Sequence, residues 1–382
     1  MQAKSIHRIA LCTIFFLSGF CFATWTSRIP TIKNIFQLND ATLGNLLLAM
    51  PISSLIGLPV SGWLISRFDS RIPLRMGFIF YSIALISIGW AENIVMLTLS
   101  VCLFAFCMRI LNISLNTQAI MVQKLFDKKI NGTFHGLWST GGLLGVLFTT
   151  FMVRYKIAIQ WHLTVVAIMT VLTVMVIYRY LIQNDRTSTG NRLILGKPDR
   201  FILLLGIMVF LSAICEGGMF DWSGVYFREV VHQEIFTLGY LIFMIFMACS
   251  RFYSDRLIDR IGMEKTYILS ASLIATGISI VVLFPTFWPV LLGFSITGIG
   301  VAAVIPMTFT LAGRSSKYSP GMAISLIATY GIVGMLIGPP LIGYIGHWLG
   351  LKYAFVLFIA SGIIMIPMSM MVFRSMAIKS NQ

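Results

Sequence analysis

Stretches of about twenty apolar residues, separated by short clusters of Arg, Lys, Gly and Pro, recur along the whole of this 382-residue chain. No other feature constrains folding as strongly. A hydrocarbon core about 30 Å thick is crossed by roughly 20 residues rising 1.5 Å each, and lipid offers the backbone no hydrogen-bond partner. Each stretch must therefore satisfy its own N–H and C=O groups as a helix, being too long for a barrel strand. Cutting at the charges and the Pro/Gly signals predicts twelve spans, at 8–28, 42–66, 73–91, 95–122, 132–153, 161–182, 200–222, 236–254, 265–284, 287–311, 320–345 and 352–373. Composition agrees: 58% of the residues are hydrophobic and 11% charged, whereas a soluble domain carries about 25% charged residues. An ordinary soluble enzyme is excluded. The six Cys all lie inside apolar runs without a C-x-x-C spacing, so neither a disulfide framework nor a metal site is expected.

The formal charge of +15 reflects topology. With a cytoplasmic N-terminus, the termini and alternate gaps hold twenty-one Lys and Arg, and the remaining gaps hold six: Arg28, Lys33, Arg154, Lys156, Arg228 and Lys352. That bias places both termini in the cytoplasm, in an inner membrane, and leaves no basic face for nucleic acid. Lys4 and Arg8 before the first run resemble a secretory signal, but Ala23-Thr24-Trp25-Thr26-Ser27-Arg28 offers no small-x-small cleavage site, so an uncleaved first helix is expected. No nucleotide-binding, zinc-protease or serine-nucleophile motif occurs, which predicts neither an enzyme nor an ATP-driven pump and requires no cofactor.

The longest polar gap, 183–198, divides the chain into segments 1–182 and 199–382. These segments resemble each other. Trp25-Thr26 corresponds to Trp222-Ser223, Ala41-Thr42-Leu43-Gly44 to Phe236-Thr237-Leu238-Gly239, and Gly62-x-x-x-Ser66-Arg67 to Asp255-x-x-x-Asp259-Arg260. The expected fold is an all-α polytopic membrane protein with two pseudo-symmetric six-helix bundles joined by a cytoplasmic linker. A parallel repeat of this kind is an architecture of secondary transporters.

The whole chain resembles the major facilitator superfamily. Its loop signature Gly-x-x-x-Asp-Arg-x-Gly-Arg is degenerate as Gly62 to Arg71, with Ser66 in place of Asp, while Asp255-Arg256-Leu257-Ile258-Asp259-Arg260-Ile261-Gly262 keeps Asp, Arg and Gly. Three stretches are similar to the YbjJ-like branch related to fucose permease: His135-Gly136-Leu137-Trp138-Ser139-Thr140-Gly141-Gly142, Glu216 through Ser223, and Gly338-Pro339-Pro340. That branch often carries Asp-x-x-x-Asn in helix 4, where this chain has Asn112 and Asn116.

Charged residues inside a membrane are costly and are usually paired or functional. Arg109, midway along span 4, shares a helical face with Asn112 and Asn116; the bland alternative is a helix-tying or snorkelling Arg. Glu216 lies about 24 Å from the inner end of span 7. The resemblance puts spans 4 and 7 on a central cavity, so Arg109 and Glu216 are expected to form either a switchable proton- or substrate-linked pair or a static neutral one. Arg28, Trp25, Asp221 and Trp222, at the outer ends of spans 1 and 7, are candidates for an outer gate, with interfacial anchoring as the alternative for the two Trp. His135 and Trp138 start span 5, where His135 is a possible proton relay or a helix-end residue. The superfamily signature implies that Arg67, Arg71, Asp255, Asp259 and Arg260 form a cytoplasmic gate.

Gly141-x-x-x-Gly145 and Gly334-x-x-x-Gly338 predict close-packed surfaces along which the halves move, and Pro306 and Pro339-Pro340 predict kinks. The functional expectation is a monomeric, proton-coupled transporter of a small polar solute, sugar-like or a small organic acid. Export of amphipathic compounds is the alternative, suggested by the many Met and Phe. A non-transporting sensor is less consistent with the short stretch after the last span.

Overall fold

The structure is a computed structural model that describes residues 2–126, 130–183, 199–315, 317–318 and 320–380. All but Gln183 of the expected linker lies outside the described residues, as do the side chains of Ser66 and Asp255. In chain order the helices are α1 (Gln2–Thr26), α2 (Ile29–Ile35), α3 (Asp40–Arg67), α4 (Arg71–Gly89), α5 (Ile94–Gln123), α6 (Asn131–Arg154), α7 (Ile159–Ile177) and α8 (Arg200–Glu229). They continue as α9 (Thr237–Ile261), α10 (Met263–Leu283), α11 (Phe287–Val301), α12 (Val304–Ala312), α13 (Pro320–Leu349), α14 (Leu351–Ala354) and α15 (Val356–Ser380). No strand occurs among the described residues.

Among the described residues eleven stretches are long and apolar enough to cross a bilayer, three of them joining consecutive α-helices: Lys4–Ile35 through α1 and α2, Phe287–Ala312 through α11 and α12, and Leu351–Arg374 through α14 and α15. The second join has a clear cause. Pro306 has no N–H to give the Ala302 carbonyl four residues back, and its ring crowds that carbonyl, so the helix breaks at Ala302-Ala303. Pro339 and Pro340, by contrast, lie inside the uninterrupted α13. The twelfth expected span is α9. It runs 25 residues, and Arg251 stands at its fifteenth position.

The chain forms two compact units, Met1–Gln37 with Ala49–Leu193, and Leu38–Leu48 with Ile194–Gln382. Within the first, α1 packs along α6, and α4 lies against α5 and α7. Within the second, α8 packs along α13, and α10 lies against α11 and α15. The same pairing of first with fifth, third with fourth and third with sixth spans recurs, so the repeat seen in short sequence matches is also a repeat of packing.

The glycine pairs lie in those seams. A Cβ on Gly141 would strike the Phe16 carbonyl of α1, and one on Gly145 would come within 2.6 Å of the Phe20 carbonyl. In the second unit, a Cβ on Gly334 would stand 2.5 Å from the Phe210 carbonyl of α8, and one on Gly338 would stand 3.4 Å from Ile214. Lipid drives no hydrophobic association, so backbone approach of this kind supplies the dispersion contacts that hold the helices together. This corrects the expectation of sliding surfaces: each pair cements two helices of one unit.

Candidate functional site

Arg109 stands at the midpoint of the 30-residue α5. Its Nε donates to Ser54 Oγ at 2.8 Å, Ser54 being near the middle of α3. Gly57, one turn beyond Ser54, lets the helices approach: a Cβ there would lie 3.1 Å from the Phe106 carbonyl and 3.2 Å from Arg109 Cβ. Asn116 Nδ2 donates to the Asn112 carbonyl at 2.8 Å and to Asn112 Oδ1 at 3.2 Å. Arg109 is half-buried and Asn112 exposed. The first unit thus has a guanidinium and two carboxamides on one face of α5, with Ser54 as the described hydrogen-bond partner of the guanidinium.

The second unit is built differently. Arg251 Nη2 donates to Glu216 Oε1 at 2.9 Å, with the Glu216 side chain only 7% exposed. Glu216 is thirteen residues from the outer end of α8 and Arg251 fourteen from the start of the antiparallel α9, so both lie about 20 Å from those ends. The pair therefore forms at one level, near the middle of the 30-residue α8, deeper than span 200–222 implied. Glu216 Oε2 is buried and accepts no hydrogen bond among the described residues. The partner of Glu216 is Arg251, in place of the expected Arg109; span 236–254 enclosed Arg251, but the charge count grouped it with the cytoplasmic-side cations.

Three of the four proposed outer residues, Arg28, Trp25 and Trp222, are buried. Arg28 is 3% exposed, and its Nε and Nη2 donate to His162 Nδ1 at 3.0 Å and to the Ile157 carbonyl at 2.9 Å. It ties the α1–α2 joint to the start of α7. His162, between Gln160 and Thr164 at the start of α7, was not singled out from sequence. Trp25 and Trp222 are fully buried, Trp25 with its ring 5.9 Å from Phe104. Both Trp are thus packed inside the protein rather than exposed on its surface. Asp221 is half-buried on α8.

At the opposite helix ends, Arg71 Nε lies 4.0 Å from Asp69 and its guanidinium 5.4 Å from the Tyr178 ring, while Arg67 sits 5.8 Å over Trp63. Asp259 and Arg260 are exposed on α9. Gln118, also missed from sequence, donates from Nε2 to Ser70 Oγ at 2.7 Å and to the Ile182 carbonyl at 2.9 Å, and its Oε1 accepts from the Ile182 N–H at 3.1 Å. It fastens the α3–α4 loop to the end of the sixth span. His135 is exposed, edge-on to Phe15 at 5.5 Å, and Trp138 lies 5.9 Å from Phe22. Among the described residues no cluster of His, Cys, Asp and Glu could hold a metal.

Long apolar helices, two units with the same internal packing and charged groups at mid-helix define a polytopic membrane transporter. The chain belongs to the Major Facilitator Superfamily, whose profile matches residues 10–278 and 256–380. It is 29% identical to the membrane protein MosC of Rhizobium meliloti, over 94% of this chain and 89% of that protein. It is 26% identical to an uncharacterized MFS-type transporter of Yersinia pestis, over 89% of each. In fold it is similar to an inward-facing, occupied bacterial homolog of the human lysosomal transporter Spinster, with TM-score 0.76 and 15% identity over 98% of this chain and 97% of that one.

Proposed function

We propose that this protein is a proton-coupled secondary transporter of a small polar solute, working by alternating access in the inner membrane with both termini in the cytoplasm, and that it belongs to the YbjJ-like branch. The observation that carries the reading is the Glu216–Arg251 ion pair at the middle of α8, where Glu216 Oε2 accepts no described hydrogen bond. A buried pair is a poor source of stability compared with apolar packing, which leaves a functional reason for keeping it. Proton uptake by Glu216 removes the charge that holds Arg251, and proton release restores it. The pair therefore has two arrangements that a proton selects between, as coupling requires. Asn112 and Asn116 suit a solute whose polar groups need a few placed partners.

The test is purified protein in proteoliposomes with a pH-sensitive dye inside, offered sugars, organic acids and amino acids in turn. The expected result is a solute-dependent pH change that Glu216→Gln abolishes while the protein still purifies as a folded species. Solute flux without proton movement, unaltered by Glu216→Gln, would reject the coupling. Competition by lipophilic cations would replace this reading with export of amphipathic compounds.

A further inference from the structure

The two mid-membrane cations are not in equivalent situations. Arg251 has a carboxylate at 2.9 Å, and Glu216 is thereby engaged. Arg109 has a serine hydroxyl, and among the described residues no carboxylate lies within ion-pair distance of it. Nor can its own half readily supply one. The acids of residues 1–182 are Asp40, Asp69, Glu92 and Asp127. Asp40 is the first residue of α3, Asp69 lies in the α3–α4 joint, Glu92 precedes α5, and Asp127 falls in the gap after α5, outside the described residues. All four belong to helix ends or loops, whereas Arg109 is at the centre of a 30-residue helix, roughly 20 Å from either end. A hydroxyl dipole offsets little of the cost of a full charge at that depth.

We infer, resting on the transport reading above, that the solute is an anion and that its carboxylate supplies the counter-charge of Arg109. The guanidinium is suited to this. With Nε committed to Ser54, its planar fork is oriented and its terminal nitrogens remain as donors that match a carboxylate. Asn112 and Asn116, one and two turns along the same face, bring carboxamide groups to hydroxyl or carbonyl groups of the same solute. A small hydroxy- or keto-acid, or a sugar acid, fits this arrangement; a neutral sugar leaves the charge uncompensated.

The experiment compares matched pairs on purified protein by thermal stabilisation at constant ionic strength: lactate against lactamide, glucuronate against glucose, and gluconate against glucitol. The expected result is stabilisation by at least one acid and none by its neutral partner, abolished in Arg109→Gln. Arg109→Lys should keep a response at least tenfold weaker, because a point charge remains without the fork. The charge-preserving variant, with a monodisperse elution profile, separates lost binding from lost folding. Equal stabilisation by acid and neutral partner, an acid response that survives Arg109→Gln, or no response to any acid would each overturn the inference. The first outcome leaves transport intact with a neutral solute, whereas dye-loaded vesicles silent to every solute would instead sink the transport reading.

Discussion

The first unit holds a mid-helix cation against a hydroxyl, and the second holds one against a carboxylate. Three pairings recur in both, first with fifth, third with fourth and third with sixth spans, and the first-with-fifth seam in each is lined by glycines. A duplicated scaffold has therefore been given two different electrostatic roles. Burial in protein tolerates a charge when it is neutralised, and the second unit meets that condition from its own residues. The first unit has no described acid of its own within reach of Arg109.

That contrast can be broken most directly at Arg251. Arg251→Leu leaves the Glu216 carboxylate buried without its cation and should destabilise the protein by about 3–5 kcal/mol, read as a large fall in melting temperature in detergent. Glu216→Leu combined with Arg251→Leu should recover most of the loss. Arg109→Leu, measured without solute, should leave melting unchanged or raise it, since no described acid is orphaned. A fall as large as that of Arg251→Leu would erase the difference between the units.

The shared part of the design is sharpened by Gly141→Leu and Gly334→Leu, each of which drives a side chain into a backbone carbonyl of the neighbouring helix. Each should cost about 1–3 kcal/mol, and the two melting shifts should be similar if the seams are equivalent. The smallest effect is the most specific. Ser54→Glu places an acid of the first unit beside Arg109; the expected outcome is a small rise in melting temperature with at least a tenfold weaker response to organic acids. An undiminished acid response in that variant would show that the charge of Arg109 is not the determinant.

Much of this was legible in sequence, because lipid imposes a length and an apolarity on every span. The apolar runs define the helices, and Pro306 marks a real break. What escaped reading shares one physical cause: partners distant in sequence. His162 meets Arg28 across 134 residues, and Gln118 meets Ser70 across 48 and Ile182 across 64. Nothing in the local pattern around either residue announces such a contact. Arg251 was missed for a different reason: span 236–254 enclosed it, but its place near the span's inner end grouped it with the cytoplasmic-side cations. Arg109 escaped that error by sitting between two long apolar flanks.

The arginine inside α9 also bears on how the protein enters its membrane. Arg251 stands at the fifteenth of 25 helical residues, and an arginine near the centre of a helix costs about 2.5–3.5 kcal/mol on insertion scales. Its neighbour α8, ahead of it in synthesis, is long, strongly apolar and carries the matching carboxylate at the same depth. The two would then leave the translocon as a hairpin, the ion pair forming before either helix is released to lipid. On that view Glu216 serves biogenesis before it serves transport.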